Sequence, residues 1–403
     1  MDNEIIDQAG LEMRNDEVMN MLVRGNVHPD IVIVTTSSID RWECPRINID
    51  DTLQLLNRIK EKLPNVKIIL YGTHVTTSPD WVIKRCGDVV DFFVKAEPEL
   101  KVLEIVRYLL SLRSDLNIPG IVYKQNSEFI KNEGDLFAKD LDTMPFPAYK
   151  KLPMEIYKYN DTNFSQPFTI MVSSRGCPFR CTFCLLAMSP IYRARSAKNV
   201  LDEIEYLKSE FKIESIYFQD WEFLLNKERV FDIADGLEKR KVDINFGINA
   251  RATDLDNVLV RKLKQVGLKR INIGLESASN KILKNVNKKM TLDDVKKAVY
   301  ICKSENITAG FYTILNLPGE NMHSLFKTAQ FLAYNEIEPR ISIVRYYPGS
   351  SLGNEVGVVW QNVLNISGSY RTQIKSSKIV EHLFKIFYVF CKMLVRLRYW
   401  IKK

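Results

Sequence analysis

Gly176-Cys-Pro-Phe-Arg-Cys-Thr-Phe-Cys184 sets three thiols within eight positions, in the pattern C-x3-C-x2-C. It follows directly on residues 168–173, an apolar run with β character, so the thiols stand where a strand ends. Ligand sites in parallel sheets lie beyond the carboxyl ends of the strands. Three thiolates this close can face one soft centre. A structural zinc site wants four ligands, and no fourth Cys or His is near; the next cysteine is Cys302. Three ligands suit a [4Fe–4S] cluster with one iron left open to a substrate or cofactor. A redox pair, Cys181 with Cys184, and a chance grouping of buried cysteines are the plainer alternatives.

Outward from the thiols, the spacing predicts helices over 199–211, 227–239, 255–266, 292–304 and 322–334. Strands are predicted at 214–218, 243–248, 269–275, 308–315 and 340–345. With 168–173 these make six β/α units in about 180 residues. A full eight-unit barrel takes roughly 250, so an open, partial barrel is expected. Before them, residues 30–35, 66–71 and 89–94 read as strands and 49–63 and 99–112 as helices. That rhythm predicts a parallel sheet covered on both faces. Its strand-end loops are Thr36-Ser37-Ser38, Gly72-Thr73-His74 and Ala96-Glu97-Pro98-Glu99. Pro145 and Pro147 favour extended chain and mark a linker over 141–165. The expected domains are therefore 1–140, 166–350 and an extension over 351–403.

The 403 residues are 46% apolar and 26% charged, which excludes a disordered, collagen-like or disulfide-rich chain. The acidic opening, MDNEIIDQAG, has no signal-peptide pattern, and with the grouped cysteines it leads us to expect a reduced, cytoplasmic protein. The net charge is +8, and residues 371–403 hold all of it, with nine Lys/Arg against one acid, Glu381. The rest is neutral, which argues against nucleic acid as a partner. Within this tail Lys385, Lys392, Arg396 and Lys403 share one helical face. The longest unbroken apolar run, 386–391, is too short to span a bilayer. The tail has three readings: a helix packed on the barrel, a helix lying on an anionic membrane, or a partner-docking helix.

The cysteine motif, with Phe183 as the aromatic before its last thiol, resembles that of the radical S-adenosylmethionine (SAM) superfamily. Family-like features follow in order over 166–350: Tyr217-Phe-Gln-Asp220, Asn249-Ala-Arg251, Gly274-Leu-Glu276-Ser277, Lys288, Leu317-Pro318-Gly319-Glu320 and Tyr347-Pro348-Gly349. The resemblance implies that Cys177, Cys181 and Cys184 hold a [4Fe–4S] cluster whose open iron binds SAM. One electron, from a donor such as flavodoxin or ferredoxin, then yields a 5′-deoxyadenosyl radical. It places Phe183, Asp220, Arg251, Glu276, Ser277, Lys288, Pro318 and Gly319 around SAM, with Lys288 as the cation for its carboxylate. Asp220 stands where many relatives carry Gly-Gly-Glu. Arg251 is equally readable as a structural ion-pair partner.

Residues 1–140 resemble the Rossmann-like cobalamin-binding domain that precedes many of these barrels. Ser37, Ser38, Gly72, Thr73, His74 and Glu97 are its tentative cofactor contacts. Relatives usually show Gly-Gly-Pro-His and Gly-Glu-Gly-Glu where this chain has Tyr-Gly-Thr-His and Lys-Ala-Glu-Pro-Glu. No Asp-x-His-x-x-Gly occurs, so no histidine is expected below cobalt. Residues 3–6 fall where a second strand belongs; the usual first strand is missing, as in a truncated or degenerate domain. The resemblance implies a cobalamin-dependent radical SAM enzyme that methylates an unactivated carbon of a small-molecule or lipid-like substrate. A radical cyclase, rearrangement or oxidative enzyme of the same superfamily is the second reading. An inactive iron–sulfur scaffold is the third.

Overall fold

The computed structural model describes residues 4–8, 11–24, 29–37, 45–158, 161–360 and 377–401. They form two compact units: Met1–Pro153 with Cys184–Ile191 and Tyr347–Gln361, and Met154–Phe183 with Tyr192–Tyr346 and Asn362–Lys403. This differs from the three consecutive domains expected, because two later stretches pack with the first unit.

The first unit holds α1 (Asn15–Arg24), β1 (Ile31–Thr35), α2 (Asp50–Lys62), β2 (Lys67–Tyr71), α3 (Thr73–Thr77) and α4 (Pro79–Cys86). After these come β3 (Phe92–Val94), α5 (Glu99–Leu109), β4 (Ile121–Gln125) and β5 (Glu128–Lys131). The sheet order is β1-β2-β3-β4-β5. β1, β2 and β3 are parallel, whereas β4 and β5 join antiparallel. This corrects the all-parallel expectation. Asn126 and Ser127, both at positive φ, make the two-residue turn of a β-hairpin. Strand alternation sends Ile68 and Leu70 to a core with Leu53, Leu56 and Ile59 of α2, and Ile69 to one with Phe92, Ile105 and Ile118. Residues 4–8 form no strand, contrary to expectation; only two adjacent apolar residues lie among polar ones, Ile5 stays exposed and Ile6 packs on the core. The stretch over 141–165 is not bare extended chain either. Short 3-10 turns at Leu141–Thr143, Tyr149–Lys151 and Met154–Ile156 each bury one apolar residue, Leu141, Tyr149 and Met154.

The second unit begins with β6 (Phe168–Met171), β7 (Ser174–Arg175) and β8 (Arg193–Ala194). α6 (Ala197–Phe211), β9 (Ser215–Phe218), α7 (Lys227–Lys239), β10 (Asn245–Ala250), α8 (Asn257–Gln265) and β11 (Leu268–Glu276) follow. Then come α9 (Asn280–Asn285), α10 (Leu292–Ser304), β12 (Thr308–Leu315), α11 (Met322–Tyr334) and β13 (Pro339–Ile343). Six strands in the order β13-β12-β11-β10-β9-β6 form one sheet, and every neighbouring pair is parallel. Helix starts are set by side chains: Ser196 caps α6, and Thr291 with Asp294 and Asn321 with Ser324 form capping boxes on α10 and α11. The short α12 (Ser351–Glu355) counts with the first unit, and α13 (Ser377–Ile401) with the second.

Candidate functional site

In the second unit the cysteine loop leaves β7 along a firmly held path. Asp220, fully buried after β9, accepts from Ser173 N at 2.7 Å and from the hydroxyls of Ser173 and Ser174 at 2.6 Å each. Arg229 Nη2 and Arg195 N donate to the Ser173 carbonyl, both at 2.9 Å. Asp220 thus anchors the chain that leads into the thiols. Within the loop, Thr182 N donates to the Val286 carbonyl at 3.0 Å and Asn287 Nδ2 to that of Arg180 at 2.7 Å. Cys177, Cys181 and Cys184 are half-buried and form no disulfide. Burial pushes the Cys177 thiol up, reinforced by Glu222 and Cys181 and opposed by the Phe179 amide and Arg251.

Glu222 and Arg251 act electrostatically on Cys177, and Lys288, paired with Glu276, on Cys181. Lys288 Nζ donates to Glu276 Oε1 at 2.6 Å, with both groups buried. Burial pulls the ammonium down, but Glu276 and the Cys181 sulfur outweigh it and hold Lys288 above the ordinary lysine range. Glu276 has φ +60° where the β11–β12 register slips. A bulky left-handed residue costs about 1–3 kcal/mol and persists only where its surroundings hold it. Gly274 makes room: a Cβ there would lie 2.5 Å from Lys288 Nζ and closer still to Glu276 Oε1. Arg251 lies over the Phe179 ring, 3.7 Å from its centroid, and donates to the Lys288 and Lys289 carbonyls. Its buried Nε has no hydrogen-bond partner. Glu222 accepts from Arg251 N at 3.0 Å; burial, then the charge of Asp254, pushes its carboxyl up to about 8.

Glu222 is the site residue that sequence reading misses. Its signal was available: it lies two residues past Asp220, beyond the end of β9. Phe183 has Lys288 Nζ 5.8 Å from its ring centroid. The remaining expected SAM contacts have protein partners on neighbouring elements. Ser277 Oγ pairs with Thr328 Oγ1 of α11 at 3.3 Å. The Pro318 carbonyl accepts from Asn285 Nδ2 at 3.1 Å, and Gly319 turns at φ +83° against that same amide. A hydrogen-bonded run also crosses the strands. Asp161 pairs with Arg270, Arg270 Nε donates to Asn272, Asn272 to the Tyr217 hydroxyl, Tyr217 to Asn249 Oδ1 at 2.6 Å, and Asn249 to the Asp220 carbonyl at 3.0 Å.

The expected cobalamin contacts lie in the first unit, except Ser38, which is outside the described residues. Thr73 N donates to Ser37 Oγ at 2.8 Å. Gly72, at φ +122°, lets the β2 loop approach: a Cβ there would lie 2.9 Å from Ser37 Oγ. His74 is fully buried and packs on Trp360, the rings tilted by 41° with centroids 4.1 Å apart. Burial lowers its pKa to about 4, and the Arg46 backbone, too poorly aligned to bond the ring, only partly opposes this, so the ring is neutral. Both His74 ring nitrogens and the indole N–H groups of Trp81 and Trp360 are buried without a hydrogen-bond partner. Buried polar atoms of this kind call for a partner. Glu97 accepts from Ser189 Oγ at 2.6 Å, both buried.

Residues 171–332 match the Radical SAM superfamily, and the chain carries an enzyme domain of that superfamily. Such a domain uses a [4Fe–4S] cluster and SAM. The chain is 28% identical over 354 residues to an uncharacterized methyltransferase, PH0819, of Pyrococcus horikoshii, covering 87% of this chain and 74% of that protein. It is also 28% identical over 360 residues to the anaerobic magnesium-protoporphyrin IX monomethyl ester cyclase of Rubrivivax gelatinosus, covering 87% of this chain but 62% of the cyclase. Among solved structures, the fold is similar to the radical SAM methyltransferase TsrM of Kitasatospora setae, determined with cobalamin and a [4Fe–4S] cluster. Its TM-score is 0.70 at 17% identity, over 88% of this chain and 68% of that one. The cobalamin-dependent radical enzyme OxsB gives 0.68 at 21% identity, over 89% of this chain and 50% of that one.

Among the described residues, no three His, Cys, Asp or Glu side chains gather about one ion-sized point. A cubane cluster asks for something else, since each cysteine takes its own iron. Three soft donors on one loop fit an anionic cluster, and the buried Lys288 and Arg251, in the same unit as Cys177 and Cys181, fit a carboxylate-bearing ligand.

Proposed function

We propose that the chain is a cobalamin-dependent radical SAM methyltransferase that replaces a hydrogen on an unactivated carbon with a methyl group. The observation that carries this reading is reach: similarity to a methyltransferase runs over 87% of the chain, well beyond residues 171–332. In this reading the six-stranded parallel sheet is a partial (β/α)6 barrel, and the first unit is a Rossmann-like cobalamin domain. Cys177, Cys181 and Cys184 hold the cluster, and Lys288 meets the SAM carboxylate by sharing its ammonium with Glu276. Arg251 stiffens the loop under Phe179. Ser37, Gly72, Thr73 and His74 line the cobalamin side, where the partnerless His74 nitrogens accept or donate to a polar group. When bound, these cofactors supply one-electron SAM cleavage and a transferable methyl; the protein's task is to orient them and exclude water. A small-molecule or lipid-like substrate, a one-electron donor protein and a peripheral membrane contact through α13 complete the reading.

The matched cyclases support a second reading, a radical reaction without methyl transfer. Anaerobic turnover with methyl-labelled SAM separates the two. Label in the product supports methylation; product free of label rejects it. Reconstituted protein that cannot cleave SAM under dithionite would leave an inactive scaffold.

A further inference from the structure

A helix on a protein surface needs one apolar stripe to pack, and α13 has two. Val380, Phe384 and Cys391 form the buried stripe. Beside it Phe387 meets Phe326 of α11 edge-on at 5.4 Å, and the Tyr388 hydroxyl donates to the Ile337 carbonyl at 3.0 Å. The second stripe points away. Ile379, Ile386, Val389, Phe390, Met393 and Leu394 are each 38–58% exposed. At 100° per residue they span an arc of about 140°, which also holds the exposed His382. Lys378, Lys385 and Lys392, all exposed, run along one border of that arc. Glu381 is the sole acid of the helix, and Lys385 bonds it at 2.7 Å. Among the described residues no helix is long and apolar enough to cross a membrane.

We propose that the outer face of α13 docks in the plane of an anionic lipid bilayer, with the apolar stripe in the interface and the lysines at the headgroups. Charge selects this occupant. Residues 371–403 carry the whole +8 of the chain, and an anionic surface neutralises it. A second copy would not, because a two-fold contact sets the same patch against itself and brings like-charged lysines together. Interfacial helices have this make-up: a strong apolar face, a basic border and no spanning length. The inference gives chemistry to the membrane contact named above, yet it does not depend on methyl transfer, and its test uses no turnover.

The test is flotation of the full chain with vesicles of phosphatidylcholine alone or mixed with phosphatidylglycerol. Wild type is expected to float with the mixed vesicles and stay behind with phosphatidylcholine, and added salt should weaken it. Replacing Lys385 and Lys392 with Gln should cost about fivefold in partition for each lysine. Phe390→Asp with Met393→Asp should abolish flotation while circular dichroism stays unchanged, since both sites are exposed. Equal flotation with both vesicle types, or wild-type flotation by the double Asp variant, overturns the proposal. So does failure to float; if sedimentation then shows a dimer that the double Asp variant breaks, the face belongs to a second copy.

Discussion

At the residue scale, the Glu276–Lys288 pair governs what the site tolerates. Removing one partner strands a buried charge, which costs about 3–5 kcal/mol, whereas removing both costs far less. Lys288→Met is therefore expected to lower the urea midpoint of the apo-protein, and Lys288→Met with Glu276→Leu to recover most of it. Both should lose SAM affinity by equilibrium dialysis. An unchanged midpoint in the single variant would show that the pair is solvent-relaxed. Glu222 gives a pH signature. Its carboxyl titrates near 8 when folded and near the ordinary 4.5 when unfolded. Between those values the folded state holds the extra proton, so stability falls as pH rises. Glu222→Gln should flatten that decline between pH 5 and 8 in thermal melts of the apo-protein, and an identical slope would reject the burial argument.

At the element scale, Asp220 ties the end of β9 to the chain between β6 and the cysteine loop. Asp220→Ala leaves a buried N–H and two hydroxyls unpaired, at about 1–3 kcal/mol each. Iron bound per chain after reconstitution should drop while helix content stays, and full iron loading would show that the loop holds itself. The parallel strands could be read because strands buried on both faces are continuous apolar runs; β9, SIYF, is buried throughout. The β4–β5 hairpin went unread although Asn126-Ser127 between alternating segments signals it. The cysteine positions were legible from spacing alone. Asp220's anchoring role was not, since its partners lie 46–47 residues away. The tilted His74–Trp360 contact joins residues still further apart, one of them in a segment without any motif.

At the scale of the whole molecule, two units share one chain without sharing one boundary. Cys184 opens a stretch that counts with the first unit, while Cys177 and Cys181 count with the second. No linear reading of composition would reveal that, because it is set by distant partners: Thr76 donates to Met188 Sδ and Ser189 to Glu97. Replacing Cys177, Cys181 and Cys184 with Ala is expected to remove the visible and EPR signals of the reconstituted cluster while leaving the far-ultraviolet spectrum unaltered. Retained iron would move the cluster elsewhere. The segregation of charge has a practical corollary. A cation exchanger should hold this molecule through residues 371–403, and elution should advance sharply once that handle is removed.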